Sequence, residues 1–147
     1  MFLAWSFGFQ KLARNLFLFG TVQRCEGAFE MTSHHSKMTE CIQACTQSHR
    51  ACMEAQVKCL ETGNCDAGMM RTMMDCAQMC QTSVDFMLRN SEMSPSVCGV
   101  CSEICTRCAS LCESLGKDDA AMMACAKACR HSATTCSQMA KAMAPKH

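Results

Sequence analysis

Large hydrocarbon side chains are scarce in most of this chain. Between Met31 and His147 only eleven are not methionine: Leu60, Leu88, Leu111, Leu115, Ile42, Ile104, Val57, Val84, Val97, Val100 and Phe86. The same stretch holds fifteen cysteines and fourteen methionines. An interior of ordinary oily residues is therefore excluded, and Cys, Met and Ala must fill it. Burial of so little hydrocarbon, at roughly 25 cal/mol per Å², gives the chain alone modest stability. Charge of one sign is also missing. The formal net charge is +1, from mixed Lys, Arg, Asp and Glu without a basic stripe, so nucleic acid is not an expected partner. Proline occurs twice, at Pro95 and Pro145, and leaves long stretches free to run as helix.

Long apolar runs are missing as well. Residues 1–30 are aromatic, with Trp5, Phe2, Phe7, Phe9, Phe17, Phe19 and Phe29, but Lys11 and Arg14 interrupt two short patches. That pattern fits neither an export signal nor a membrane span. A weak amphipathic membrane-surface segment is one reading. The preferred one is an N-terminal extension that is disordered or a start-site artefact, with translation beginning at Met31. One domain is expected from the length, a Cys-rich unit over 31–147.

That unit divides into four helical stretches of 20–26 residues: about Met38–Glu61, about Asp66–Arg89, Ser94 to Leu115, and Asp118 to near Pro145. Ser36 or Thr39 is expected to cap the first, and Thr62-Gly63-Asn64 to close it. Ser94 with Pro95 starts the third as N-cap and first helical residue. Asp118 and Asp119 suit the start of the fourth. Loops of about three to five residues force antiparallel neighbours, which predicts an all-α, up-down-up-down four-helix bundle.

Sulfur lines these helices. Cys98, Cys101, Cys105, Cys108 and Cys112 step by 3, 4, 3 and 4, the rhythm by which a helix lines one face. Five C-x-x-x-C pairs follow: Cys41/Cys45, Cys76/Cys80, Cys101/Cys105, Cys108/Cys112 and Cys125/Cys129. Residues four apart lie one above the other on a helix. Two thiolates so placed can hold one ion in near-linear coordination, a geometry and softness that suit Cu(I). Tetrahedral zinc would call for C-x-x-C knuckles on turns, and none occurs. A disulfide scaffold fits poorly, because i,i+4 helical neighbours do not easily meet disulfide geometry. Ferredoxin spacing is absent too. Met69, Met73, Met122 and Met139 read as gap-filling core, with transient copper contact as the alternative. His49 and His131 flank the stripe at its boundary. No carboxylate or His pair sits within it, so an enzyme is not expected.

The segments CGVCSEICTRCASLC (98–112), CAKAC (125–129), CIQAC (41–45) and CAQMC (76–80) resemble the four-helix-bundle copper storage proteins, over roughly 38–143. The resemblance implies storage and detoxification of many Cu(I) ions inside a homotetramer of bundles, cytoplasmic in the branch without an export signal. It implies as copper ligands Cys41, Cys45, Cys52, Cys59, Cys76, Cys80, Cys98, Cys101, Cys105, Cys108, Cys112, Cys125, Cys129 and Cys136. It also implies an entrance at one bundle end lined by Met or His, and the end near Met69, Met73 and Met122 is the candidate. Ser48, Ala55 and Ser132 or Ala133 interrupt the stripes, so capacity should fall below that of the most Cys-rich members. The alternative reading is a disulfide-bonded or redox-active helical protein without metal. Cys25 and Cys65 have no assigned role.

Overall fold

A computed structural model describes the backbone of residues 6–63 and 66–142, and the side chains of that range from Ser33 onward. Four helices follow in order: α1 (Ser6–Thr62), α2 (Ala67–Leu88), α3 (Ser94–Leu115) and α4 (Ala120–Ala142). The chain separates into two units, Met1–Ser36 and Lys37–His147. The first contributes the opening of α1. The second is the bundle. Helix α1 begins well before Met38, where the capping pattern places its start. Residues 31–37 contain neither Pro nor Gly, so nothing there stops a helix and neither Ser36 nor Thr39 caps one.

The other helix ends follow their local chemistry. Gly63 takes φ +67° and returns its N–H to the Cys59 carbonyl at 2.9 Å, closing α1 in a left-handed cap. Asp66 caps α2, accepting the Met69 N–H at 2.8 Å. Asp119 does the same for α4, accepting from Ala121 at 2.8 Å and Met122 at 3.2 Å. The start of α3 differs from the expectation. Met93 is the N-cap residue and makes no side-chain cap, while Ser94 lies inside the helix and donates to the Phe86 carbonyl at 3.1 Å. Ser94 is buried against α2, and that carbonyl offers its hydroxyl a partner across the turn. The expected end of the fourth helix near Pro145 lies outside the described residues, as do Asn64, Cys65 and Met143.

Each helix of the bundle runs antiparallel to its neighbours. Cys41 meets Cys136 while Cys52 meets Cys125, so α1 and α4 run in opposite directions. Helices α2 and α3 are paired likewise through Cys76/Cys105 and Cys80/Cys101. Helix α3 also packs along α4, tied outside by Arg130, which donates to both Glu113 oxygens at 2.9 and 2.6 Å and to Ser110. Over the described residues α2, α3 and α4 hold 22, 22 and 23 residues, hence about 33–35 Å each.

The interior inverts the usual arrangement. Among the described residues its buried apolar side chains are Cys, Ala, Met and Val84 alone. Ile42, Ile104 and Leu111 pack on its rim. Leu60, Leu88 and Leu115 face solvent. No helix among the described residues is long and apolar enough to cross a membrane.

Candidate metal centre

All fourteen cysteines expected as ligands lie in the core, thirteen of them with no exposed surface and Cys59 at 3%. Thirteen carry free thiols, and Cys59 is disulfide-bonded. The helical 3,4 spacing turns each stripe inward, and the antiparallel packing brings the four stripes together as one column.

Five groups of thiols form along this column, each with all its Sγ atoms within 4.8 Å of one another: Cys41/Cys45/Cys136, Cys45/Cys80/Cys101, Cys76/Cys80/Cys105, Cys52/Cys76/Cys108/Cys129 and Cys108/Cys112/Cys125. Cys45, Cys76, Cys80 and Cys108 each belong to two groups, so the groups are linked through shared sulfurs. No His, Asp or Glu takes part among the described residues. Cys98 lies outside the groups, and its free thiol interacts with those of Cys136 and Cys41. Cys59 belongs to none of them.

The shortest sulfur contacts cross between helices. Cys45 and Cys136 are 3.3 Å apart, Cys52 and Cys125 3.5 Å, and Cys80 and Cys105 3.5 Å. Within a helix, Cys101 and Cys105 are 3.8 Å apart and Cys125 and Cys129 3.9 Å. Cys41/Cys45, Cys76/Cys80 and Cys108/Cys112 are each one edge of a thiol group, while Cys101/Cys105 and Cys125/Cys129 join one group to the next. Four sulfurs do converge, although no C-x-x-C knuckle lies on a turn. Cys52, Cys76, Cys108 and Cys129 converge one from each helix, because the fold supplies the closeness that a knuckle would otherwise supply.

Two hydroxyls occupy the same column. Ser48 lies 3.3 Å from the Cys129 sulfur and 4.0 Å from that of Cys76. Ser132 lies 3.4, 3.6 and 3.9 Å from Cys45, Cys105 and Cys80. Both serines are fully buried. They stand where a cysteine would continue the stripe, and their partners are the thiols themselves.

Protons are shared unevenly among these sulfurs. Hydrogen bonds from Cys136 and Cys41 hold the Cys98 thiol down at about 4, and those from Cys108 and Cys125 hold Cys112 at about 4. Cys80 and Cys129 are pushed down by four thiol neighbours each. Cys76, Cys108 and Cys136 are pushed up, by hydrogen bonding with Cys105, Cys112 and Cys101 first and by burial as well. Burial raises every one of these thiols, and a bound soft cation favours their thiolate forms.

The described methionines range from buried to exposed, with Met38, Met70 and Met79 between and Met93 exposed. Met69, Met73, Met87, Met122 and Met139 are buried, whereas Met53, Met74 and Met123 are exposed. At one bundle end a hollow of about 280 Å³ is lined by Cys59, Thr62, Met69, Leu115, Gly116, Asp118, Asp119 and Met122. Gly116 is required there, since a Cβ would come within 2.2 Å of the Met122 Cβ. His49 is half-buried, its Nδ1 2.9 Å from the Ala77 carbonyl, and His131 is exposed. Both sit at the boundary of the stripe and join no thiol group.

Known proteins are similar to this chain in sequence and fold. Residues 28–141 match the profile of the copper storage protein (Csp) family. A cysteine-rich protein of Bacillus subtilis, YhjQ, is 34% identical over 102 residues, which is 68% of this chain and 93% of that protein. Among solved structures, Nmul_A1745 from Nitrosospira multiformis is similar with 44% identity and a TM-score of 0.68, covering 73% of this chain and 97% of its own. Apo copper storage protein 3 from Bacillus subtilis gives 36% identity and a TM-score of 0.61 over 69% of this chain and 97% of its own. The Cu(I)-bound copper storage protein BsCsp3 gives 34% and 0.65 over 71% and 98%.

Proposed function

Because the chain belongs to the copper storage protein family, we propose that it stores multiple Cu(I) ions as cargo on the thirteen free thiols of its bundle. The observation that carries this reading is the chain of five thiol groups linked by shared sulfurs. Soft thiolates select Cu(I), and a solved relative of the same fold is Cu(I)-bound. Cys59 can join the set only once its disulfide is reduced. Residues 1–30 are an extension outside this storage unit.

The column is a store and not a catalyst. Catalysis by a metal needs an open coordination position and a paired acid or base, and the thiol groups contain neither His nor carboxylate. A cytoplasmic location is supported by thirteen unpaired thiols, which persist in reducing compartments. Assembly into a homotetramer is supported by Met53, Val57 and Leu60, exposed on α1 at i, i+4 and i+7 and so forming an apolar stripe that another subunit can cover.

Anaerobic titration of the reduced protein with Cu(I), read by native mass spectrometry, tests the reading. Uptake should reach a number near the count of interior thiols. Saturation at one or two ions would overturn storage and favour a carrier.

A further inference from the structure

Among the five thiol groups only one has four members. Cys52, Cys76, Cys108 and Cys129 come from α1, α2, α3 and α4 respectively, all without exposed surface, with every Sγ within 4.8 Å of the other three. The Cys52–Cys129 and Cys76–Cys129 separations are 3.7 and 3.6 Å. Sulfurs placed about 2.3 Å from a tetrahedral zinc ion are about 3.8 Å from one another. Two of the six edges are therefore already near the length that such a centre demands, and the other four lie within 4.8 Å. The geometry points to a single tetrahedral four-thiolate site for a divalent cation of the zinc class, at the level of the column where all four helices meet.

The surroundings fit a closed site. Loading releases to solvent the protons that the four sulfurs still hold as Zn²⁺ enters, and four thiolates around one Zn²⁺ leave a net charge of −2 on the group. Donors to offset that charge are already in place. The Ser48 hydroxyl lies 3.3 Å from Cys129 and 4.0 Å from Cys76, and the Cys125 thiol lies 3.5 Å from Cys52. Outer-shell hydrogen bonds of this kind orient ligands and tune a metal. No His or carboxylate belongs to the group, so the coordination is complete without an open position, as in structural zinc centres. One ion there would fasten all four helices of a bundle poor in hydrocarbon. Since the same sulfurs belong to the copper column, filling the column with Cu(I) must expel the divalent ion. The site does not depend on the storage reading, because four-sulfur binding follows from the apo geometry alone.

The probe is Co²⁺, added anaerobically to the reduced, copper-free full chain. One equivalent should produce the strong visible and thiolate charge-transfer absorption of tetrahedral four-sulfur cobalt, bleached by Zn²⁺ and by Cu(I). Cys76→Ser and Cys129→Ser should abolish that spectrum, while His49→Gln and His131→Gln should leave it unchanged. X-ray absorption of the zinc-loaded wild type should show four sulfurs at about 2.3 Å, a readout that needs no variant to fold. A weak octahedral spectrum, several equivalents of bound cobalt, loss in the histidine variants, or nitrogen and oxygen in the zinc shell would each overturn the assignment.

Discussion

The middle of the thiol column and its methionine-lined end are built from the same helices, yet they present different chemistry. In the middle, Cys45, Cys76, Cys80, Cys101, Cys105 and Cys129 are wholly buried beside the hydroxyls of Ser48 and Ser132. At the end, Met69 and Met122 border a hollow with Asp118, Asp119 and Thr62, and the cysteine there, Cys59, is disulfide-bonded. Thiolates are charged, bridging donors that retain a soft cation. Thioethers are neutral, weak acceptors. We propose that this difference separates holding from passage along one axis of the fold.

The largest expected effect tests the middle. Its hydrocarbon is sparse, so the metal-free protein should be helical yet only moderately stable, and Cu(I) bound to the folded state alone should stabilise it by mass action. At a free ion concentration about a thousandfold above the dissociation constant the gain is about 4 kcal/mol, which for a domain of this size corresponds to at least about 10 °C in melting temperature. Differential scanning calorimetry of reduced apo and loaded protein measures it. Equal melting temperatures would mean that copper sits outside the folded core.

The serines sharpen the comparison at intermediate effect. Each hydroxyl lies within 4.0 Å of two or three sulfurs. Ser48→Cys and Ser132→Cys should therefore insert new thiols into existing groups and raise Cu(I) capacity by up to about two ions per chain, since thiolate is the selecting donor. Native mass spectrometry counts the gain. Unchanged capacity would show that the middle is limited by something other than donor number.

These differences were unevenly legible in the residues alone. The 3,4 spacing of Cys98 to Cys112 and the Asp66 and Asp119 starts are local properties, and the helices and their inward sulfur follow from them. The four-thiol convergence was not legible. Cys52 and Cys129 are 77 positions apart, and their 3.7 Å separation depends on axial register between helices, which no local spacing encodes. For the same reason the C-x-x-x-C pairs drew attention within a helix, while the shortest sulfur contacts cross between helices. Ser48 and Ser132 looked like gaps in a stripe and are hydrogen-bonded members of the column. The start of α1 was misplaced because Ser36 and Thr39 are good caps that the continuing helix does not use.

The smallest effect on capacity belongs to the methionine end and gives the sharpest test of passage. Met69, Met73 and Met122 lie toward the end that holds the hollow, with Met69 and Met122 on its wall. An ion crossing from solvent to the column there meets a neutral sulfur before a charged one. Replacing all three with Leu keeps volume and removes the thioether, so stability should shift by less than about 1.5 kcal/mol. The total number of Cu(I) ions bound should stay the same, since no thiol is lost. What should change is the rate, with slower uptake from a Cu(I) donor and slower removal by a high-affinity chelator, both followed by stopped-flow absorbance. Met87→Leu with Met139→Leu at buried positions toward the opposite end serves as the matched control and should leave both rates unchanged. Equal slowing by the two sets of substitutions would erase the distinction between the ends, and unaltered rates in the triple variant would make Met69, Met73 and Met122 core packing alone.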